Sequence, residues 1–217
     1  RQKEFRAIIA QDAPLPKRPL IDANELELPL LMNDVRAHLG RSVATSAVEE
    51  FRQHESMLKW IGEGFAYHQA HSLTSCLFCG NKIGEERFDA LATAIDNRFA
   101  QISEENQELK IKLEKRKARL QFLRTEIPSE NDIAKEHRVT FGETAKRLRL
   151  ACDRFEECLD AALEAIATKA KTPNLAIAEP HELSRAVVID VNRSFVNALA
   201  AISNLIGLHN QSHDAFS

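Results

Sequence analysis

The side chains best suited to chemistry lie close together in "HSLTSCLFCGNK", residues 71–82. Cys76 and Cys79 are separated by two residues and followed directly by Gly80. That spacing places two thiolates on one knuckle, and the glycine lets the backbone turn past a bound ion. Zinc takes four nitrogen or sulfur ligands in a tetrahedron, so one such pair is half a site. Two completions are open. The same pair from a second chain would give four sulfurs across a homodimer. Alternatively His68 and His71, three residues apart and close to Cys76, would complete the site within the chain. Two further readings need no metal. A thioredoxin-like redox pair needs a βαβ setting and a helix N-terminus that lowers a thiol pKa, and no strand pattern precedes this motif. The remaining reading is two reduced thiols packed in a turn.

Other reactive residue types carry less. Cys152 and Cys158, six apart, fall on or beside an apolar seam and read as buried small apolar residues. Lys110, Lys112, Lys115, Arg116, Lys117 and Arg119 could contact nucleic-acid phosphates. Glu104, Glu105, Glu108 and Glu114 lie among them or just upstream, and no aromatics alternate with the bases, so a solvated helix face is the stronger reading. No Ser/His or His/Asp/Glu constellation has catalytic spacing, and there is no GxxxxGK[ST] phosphate loop. The chain itself is therefore expected to be neither an enzyme nor a nucleotide binder.

The elements that position these residues read as helices. Seven glycines and seven prolines are few for 217 residues, and aromatics are only 6%. A 44% hydrophobic and 28% charged composition suits a soluble folded chain. A net charge of −3 creates no global basic field. No apolar run reaches the ~20 residues of a membrane span, and the chain opens on Arg1 without an apolar signal segment. With only four cysteines, a reducing cytoplasm is expected, which favours metal over disulfide.

Pro14, Pro16, Pro19 and Pro29 mark an extended lead, followed by a short helix from about Leu30 to Leu39 with Gly40 as its C-cap. Ser42 opens a helix whose apolar residues recur up to Ile61, and Gly62 and Gly64 should weaken its end. From Glu85 the apolar positions Phe88, Leu91, Ile95, Ile102, Leu109, Leu113, Leu120, Leu123 and Ile127 form a heptad-like seam, with Phe99 and Asn106 filling gaps. Pro128 ends it, and Ser129 reads as the N-cap of the next helix. That helix is seamed from Ile133 through Phe141, Cys152 and Phe155 to Ile166. A last one, about His181 to His213, is seamed by Leu183, Val187, Val191, Phe195, Ala198, Ile202 and Leu205. Long seamed helices joined by short turns fold back antiparallel. The one strand candidate, "LAIA", is short. The expected fold is all-α: an elongated, antiparallel long-helix or coiled-coil bundle with a CxxC knuckle. Its parts are residues 1–40 (lead and short helix), 41–83 (helix to the knuckle) and 84–217 (three long helices).

The stretch "WIGEGFAYH", a polar spacer, "CLFCGNKI" and "ERFDAL" resembles the central region of the PrrC/RloC-type ATPases, bacterial relatives of the SMC-like ABC ATPases. Trp60, Gly64, His68, Cys76, Cys79 and Gly80 match that family's pattern. Leu77 stands where proline is usual and Asn81 where glutamine is usual. "AISNLIGLHNQSHDAF" resembles the family's returning helix, with His209-Asn210 as its His-Asn pair. The resemblance implies a structural and regulatory helical insert of a longer, RloC-like anticodon nuclease of phage defence or the DNA-damage response, in the bacterial cytoplasm. It implies partners as well: the ATPase head of the same protein, which would bind ATP in place of this insert, and a second copy joined through a zinc-hook-like knuckle. The rival reading is a nucleic-acid-sensing arm using the basic stretch. In that reading Cys76 and Cys79 form a within-chain or metal-free knuckle. Neither reading calls for a membrane.

Overall fold

A computed structural model describes residues 15–24, 26–41, 55–173 and 175–215. The expected helix from Ser42 to residue 54 lies outside them. Among the described residues there are five α-helices and no strand: α1 Leu28–Leu39, α2 Glu55–Ala70, α3 Glu85–Glu126, α4 Arg138–Lys171 and α5 Arg185–Ala215. The fold is all-α, in keeping with the scarcity of glycine and proline. At 1.5 Å per residue, α3 alone runs roughly 60 Å. The described residues divide into two compact units, with α3 and α4 contributing to both.

The first unit is Arg1–Pro29, Lys115–Leu159 and Arg185–Ser217. Its core is the predicted seam of α4, where Phe141, Leu148, Cys152, Phe155 and Leu159 are all buried. Leu120 and Leu123 of α3 and Val191, Phe195 and Ile202 of α5 are buried with them. The helices are antiparallel. Arg124 of α3 reaches Asp153 and Glu156 of α4, each at 2.9 Å. Arg154 of α4 reaches Asp190 of α5 at 3.1 Å. In α5 the buried positions are Val188 and Ile206, each one residue past the expected Val187 and Leu205. This helix is long and apolar enough by length and composition to cross a membrane, although polar residues interrupt every apolar run within it. Its buried face packs on α4, and 22% of its most apolar window is buried within the chain.

Ser129 is a cap, but of a 3-10 turn, Glu130–Asp132, not of α4. Beyond that turn the chain is extended at Ile133, whose side chain is buried. The N–H of Ala134 donates to Nδ1 of His209 at 3.1 Å. His209 Nε2 donates in turn to the carbonyl of Pro16 at 3.1 Å. Asn210 takes the N–H of Arg18 and donates to its carbonyl, both at 2.8 Å. The His-Asn pair thus fastens the lead segment and the α3–α4 turn to α5.

The second unit is Leu30–Glu114 and Asp160–Ser184. Met32, Val35 and Leu39 of α1 are buried with Ile102, Leu109 and Leu113 of α3 and with Ile166 of α4. A buried polar chain runs through this core. Asn106 Nδ2 donates to the carbonyl of Ile166 at 3.2 Å, which orients the amide. Its Oδ1 therefore faces His38 Nε2 at 3.0 Å and must accept from it. His38 Nδ1 lies 3.4 Å from Glu105, which also pairs with Arg41 at 2.7 Å. Lys169 is completely buried and donates to the carbonyls of Arg41 and Leu175. Burial holds its ammonium below the ordinary lysine pKa.

Candidate metal centre at the Cys76–Cys79 knuckle

Helix α2 runs uninterrupted through Gly62 and Gly64, contrary to the expectation that they weaken it. The structure gives Gly64 a local use: its carbonyl accepts from His68 Nδ1 at 2.6 Å. The helix closes in a Schellman arrangement. Ser72 sits there in the left-handed region with φ of 53°. The Leu73 N–H bonds to the His68 carbonyl and the Ser72 N–H to the Gln69 carbonyl. The chain then folds into a small hook. An isolated antiparallel bridge pairs Ser75 with Lys82. The Ile83 N–H donates to Thr74 at 2.9 Å and the Cys76 N–H to Asn81 at 2.8 Å. Gly80, with φ of 72°, returns its N–H to the Cys76 carbonyl at 2.8 Å. A side chain would strain that turn, so the glycine after the second cysteine has a conformational reason.

Cys79 is exposed and Cys76 half-buried, and no disulfide joins any of the four cysteines. The backbone N–H groups of Cys79 and Phe78 point at the Cys76 sulfur and hold its thiol below the ordinary cysteine pKa. Hydrogen bonds of this kind favour a thiolate, which is the form that ligates zinc. The pair therefore fits half of a zinc site by donor chemistry.

The two histidines do not join it. Among the described residues, no group of three or more His, Cys, Asp and Glu side chains converges on a point where a metal could sit. For His68 the reason is local. Its Nε2 accepts the Leu77 N–H at 3.2 Å while Nδ1 donates to Gly64, so both ring nitrogens are engaged with backbone. Leu77, the departure from the resemblance's proline, supplies that N–H; proline has none. His71 stacks on Tyr67, ring centroids 4.0 Å apart, and Nδ1 bonds to the Tyr67 carbonyl at 2.9 Å. His68 was placed on the right stretch by the sequence, but its work is to brace the knuckle against α2.

An AAA-domain family model, AAA_13, matches residues 1–217. The chain belongs to that family. It is an SMC-like, ATPase-related region. No curated protein and no solved structure matches it.

The knuckle of this AAA-domain chain also carries an apolar cleft of about 420 Å³, lined by α2, the hook and the start of α3. Trp60 meets Phe78 edge-on at 5.4 Å, and Phe65 meets Phe88 at 4.8 Å. The basic residues lie along α3. Lys110 pairs with Glu114 at 3.8 Å, Lys117 with Glu156 at 3.6 Å and Arg119 with Glu126 at 3.0 Å. Much of that charge is thus answered by acidic neighbours on α3 and α4.

The four thiols should separate sharply in reactivity. Burial pushes Cys152 up to about 11. Treated with a maleimide at pH 8 under chelator, the native chain should label at Cys76 and Cys79 within minutes, and at Cys152 only after unfolding. Because the Cys152 pKa is raised above 9.0, its contribution to stability is complete below about pH 9 and is lost as pH rises toward 11. Four-site labelling of folded protein at pH 8, read by intact mass, would contradict the buried seam.

Proposed function

We propose that this chain is the structural and regulatory helical insert of an RloC-like ATPase coupled to an anticodon nuclease, and that Cys76 and Cys79 hold zinc jointly with the same pair of a second copy. The observation that carries the zinc reading is the hook itself. The Cys76 sulfur faces two backbone N–H groups, Cys79 is exposed, and among the described residues no third ligand is within reach. Cys76 and Cys79 of each copy would supply four thiolates to one ion. Zinc there would act as a cross-link, supplying binding free energy to assembly instead of chemistry. The long seamed helices would carry displacements between the knuckle and an ATP-binding head elsewhere in the protein.

Zinc content measured together with solution mass tests this. Wild type should hold about half an equivalent per chain and run as a dimer. Cys76→Ser/Cys79→Ser should hold none and run as a monomer. One equivalent per chain with monomer mass would replace the shared site by a within-chain one. Metal-free wild type after zinc loading would overturn both.

A further inference from the structure

Phe78 lies between the two cysteines in sequence, and its ring is 82% exposed. Leu77 beside it is 66% exposed. An apolar ring and an isobutyl group so open to water at the tip of a hook, among polar residues such as Ser75, Asn81 and Lys82, are costly unless something covers them. Both belong to the rim of the apolar cleft, whose other walls include Trp60, Phe65, Tyr67 and Phe88, and the Phe78 ring meets Trp60 edge-on at 5.4 Å. None of the residues lining it is Lys, Arg, Asp or Glu.

We infer that the occupant of this cleft is the Phe78–Leu77 tip of a second copy, so that each knuckle inserts its apolar tip against the other's aromatic wall. The inference rests on the shared-zinc reading and specifies its partner surface. Four features support it. Sharing one ion through Cys76 and Cys79, with zinc–sulfur distances of about 2.3 Å, brings whatever lies between the cysteines against the opposite hook. In a two-fold contact a protruding tip and a receptive cleft on the same patch are self-complementary, because each copy supplies both. No Lys, Arg, Asp or Glu lines the cleft, and the shared zinc ion would offset the charge of the Cys76 thiolates that do, so two identical surfaces can meet there. Trp60 and Tyr67, half-exposed at the cleft, are residue types that dominate binding energy when covered.

The division of labour is then testable with the cysteines left intact. Phe78→Ser, compared with wild type in sedimentation equilibrium at saturating zinc, should raise the dimer Kd about a hundredfold, since a two-fold contact loses the ring twice. It should still bind zinc, assayed on the dimer present at high protein concentration, at half an equivalent per chain. Phe78→Leu should recover most of the affinity. Phe78 also touches Trp60 within its own chain, so the far-UV circular dichroism and the urea midpoint of the variant are compared with wild type, and both should match. A Kd unchanged in Phe78→Ser while zinc still bridges the dimer would overturn the tip-in-cleft contact and leave the zinc reading standing. A metal-free or monomeric wild type would overturn both.

Discussion

Phe195→Ala should lower the stability of the chain by about 3–5 kcal/mol, the cost of emptying a well-packed aromatic site. Phe195 is buried at the point where α5 crosses α4, its ring 5.1 Å from that of Phe155. The tilted pair contributes about 0.5–1.5 kcal/mol beyond burial. Val191 and Ile202 of α5 and Leu148 of α4 are buried too, on helices whose backbones cannot collapse far into a vacated space. The adjacent Val196 is half-exposed, and Val196→Ala should fall within ~0.5 kcal/mol of wild type. Urea unfolding followed at 222 nm reads both. A loss below ~1 kcal/mol at Phe195 would mean that α4 and α5 are not packed by this seam.

Lys169→Met is the counterpart in the second unit, with an expected loss of about 2–4 kcal/mol. The ammonium satisfies two carbonyls from separate stretches, Arg41 after α1 and Leu175 after α4. Methionine fills similar space but leaves both carbonyls without a donor, at ~1–3 kcal/mol each, offset in part by no longer burying a cation. The sign of the pH dependence separates this from a packing effect. Burial places the folded pKa below the ordinary value of 10.5, so the folded chain releases that proton first. Wild-type stability carries the full desolvation cost below the lowered pKa, and this cost lifts as pH rises toward 10.5. Lys169→Met should lack that component. Equal midpoints for the two proteins at pH 7, with equal m-values, would show that the carbonyls find other partners.

The seam of α4 was legible because Phe141, Leu148, Cys152, Phe155 and Ile166 leave no competing face. In α5 the adjacent pairs Val187-Val188 and Leu205-Ile206 offer two faces about 100° apart, and apolar spacing alone does not choose between them. Ser129 carried a correct cap signal. The path of the chain after it is set by Ile133 seeking the core and Ala134 reaching His209, a partner 75 residues away. The CxxC was legible as half a site at once. The role of His68 was not, since it depends on a backbone N–H at Leu77 that only the folded hook brings within 3.2 Å. Nothing in the sequence singled out Lys169, and Asn106 read only as the filler of a gap in a seam. Both are placed by carbonyls from elsewhere in the chain, which periodicity cannot report.

Asn106 has a mechanical consequence. A hydrophobic seam tolerates sliding, because one aliphatic contact can be exchanged for the next. The Asn106 amide cannot be exchanged in that way. It grips one carbonyl of α4, and a shift of a single residue, about 1.5 Å, would carry it off that oxygen and leave a buried amide unpaired. Its other end holds His38, so α1 is geared to the same point. At this level the three helices behave as if keyed to one shaft: a push along α3 is taken up by α4 and α1 together, without slip.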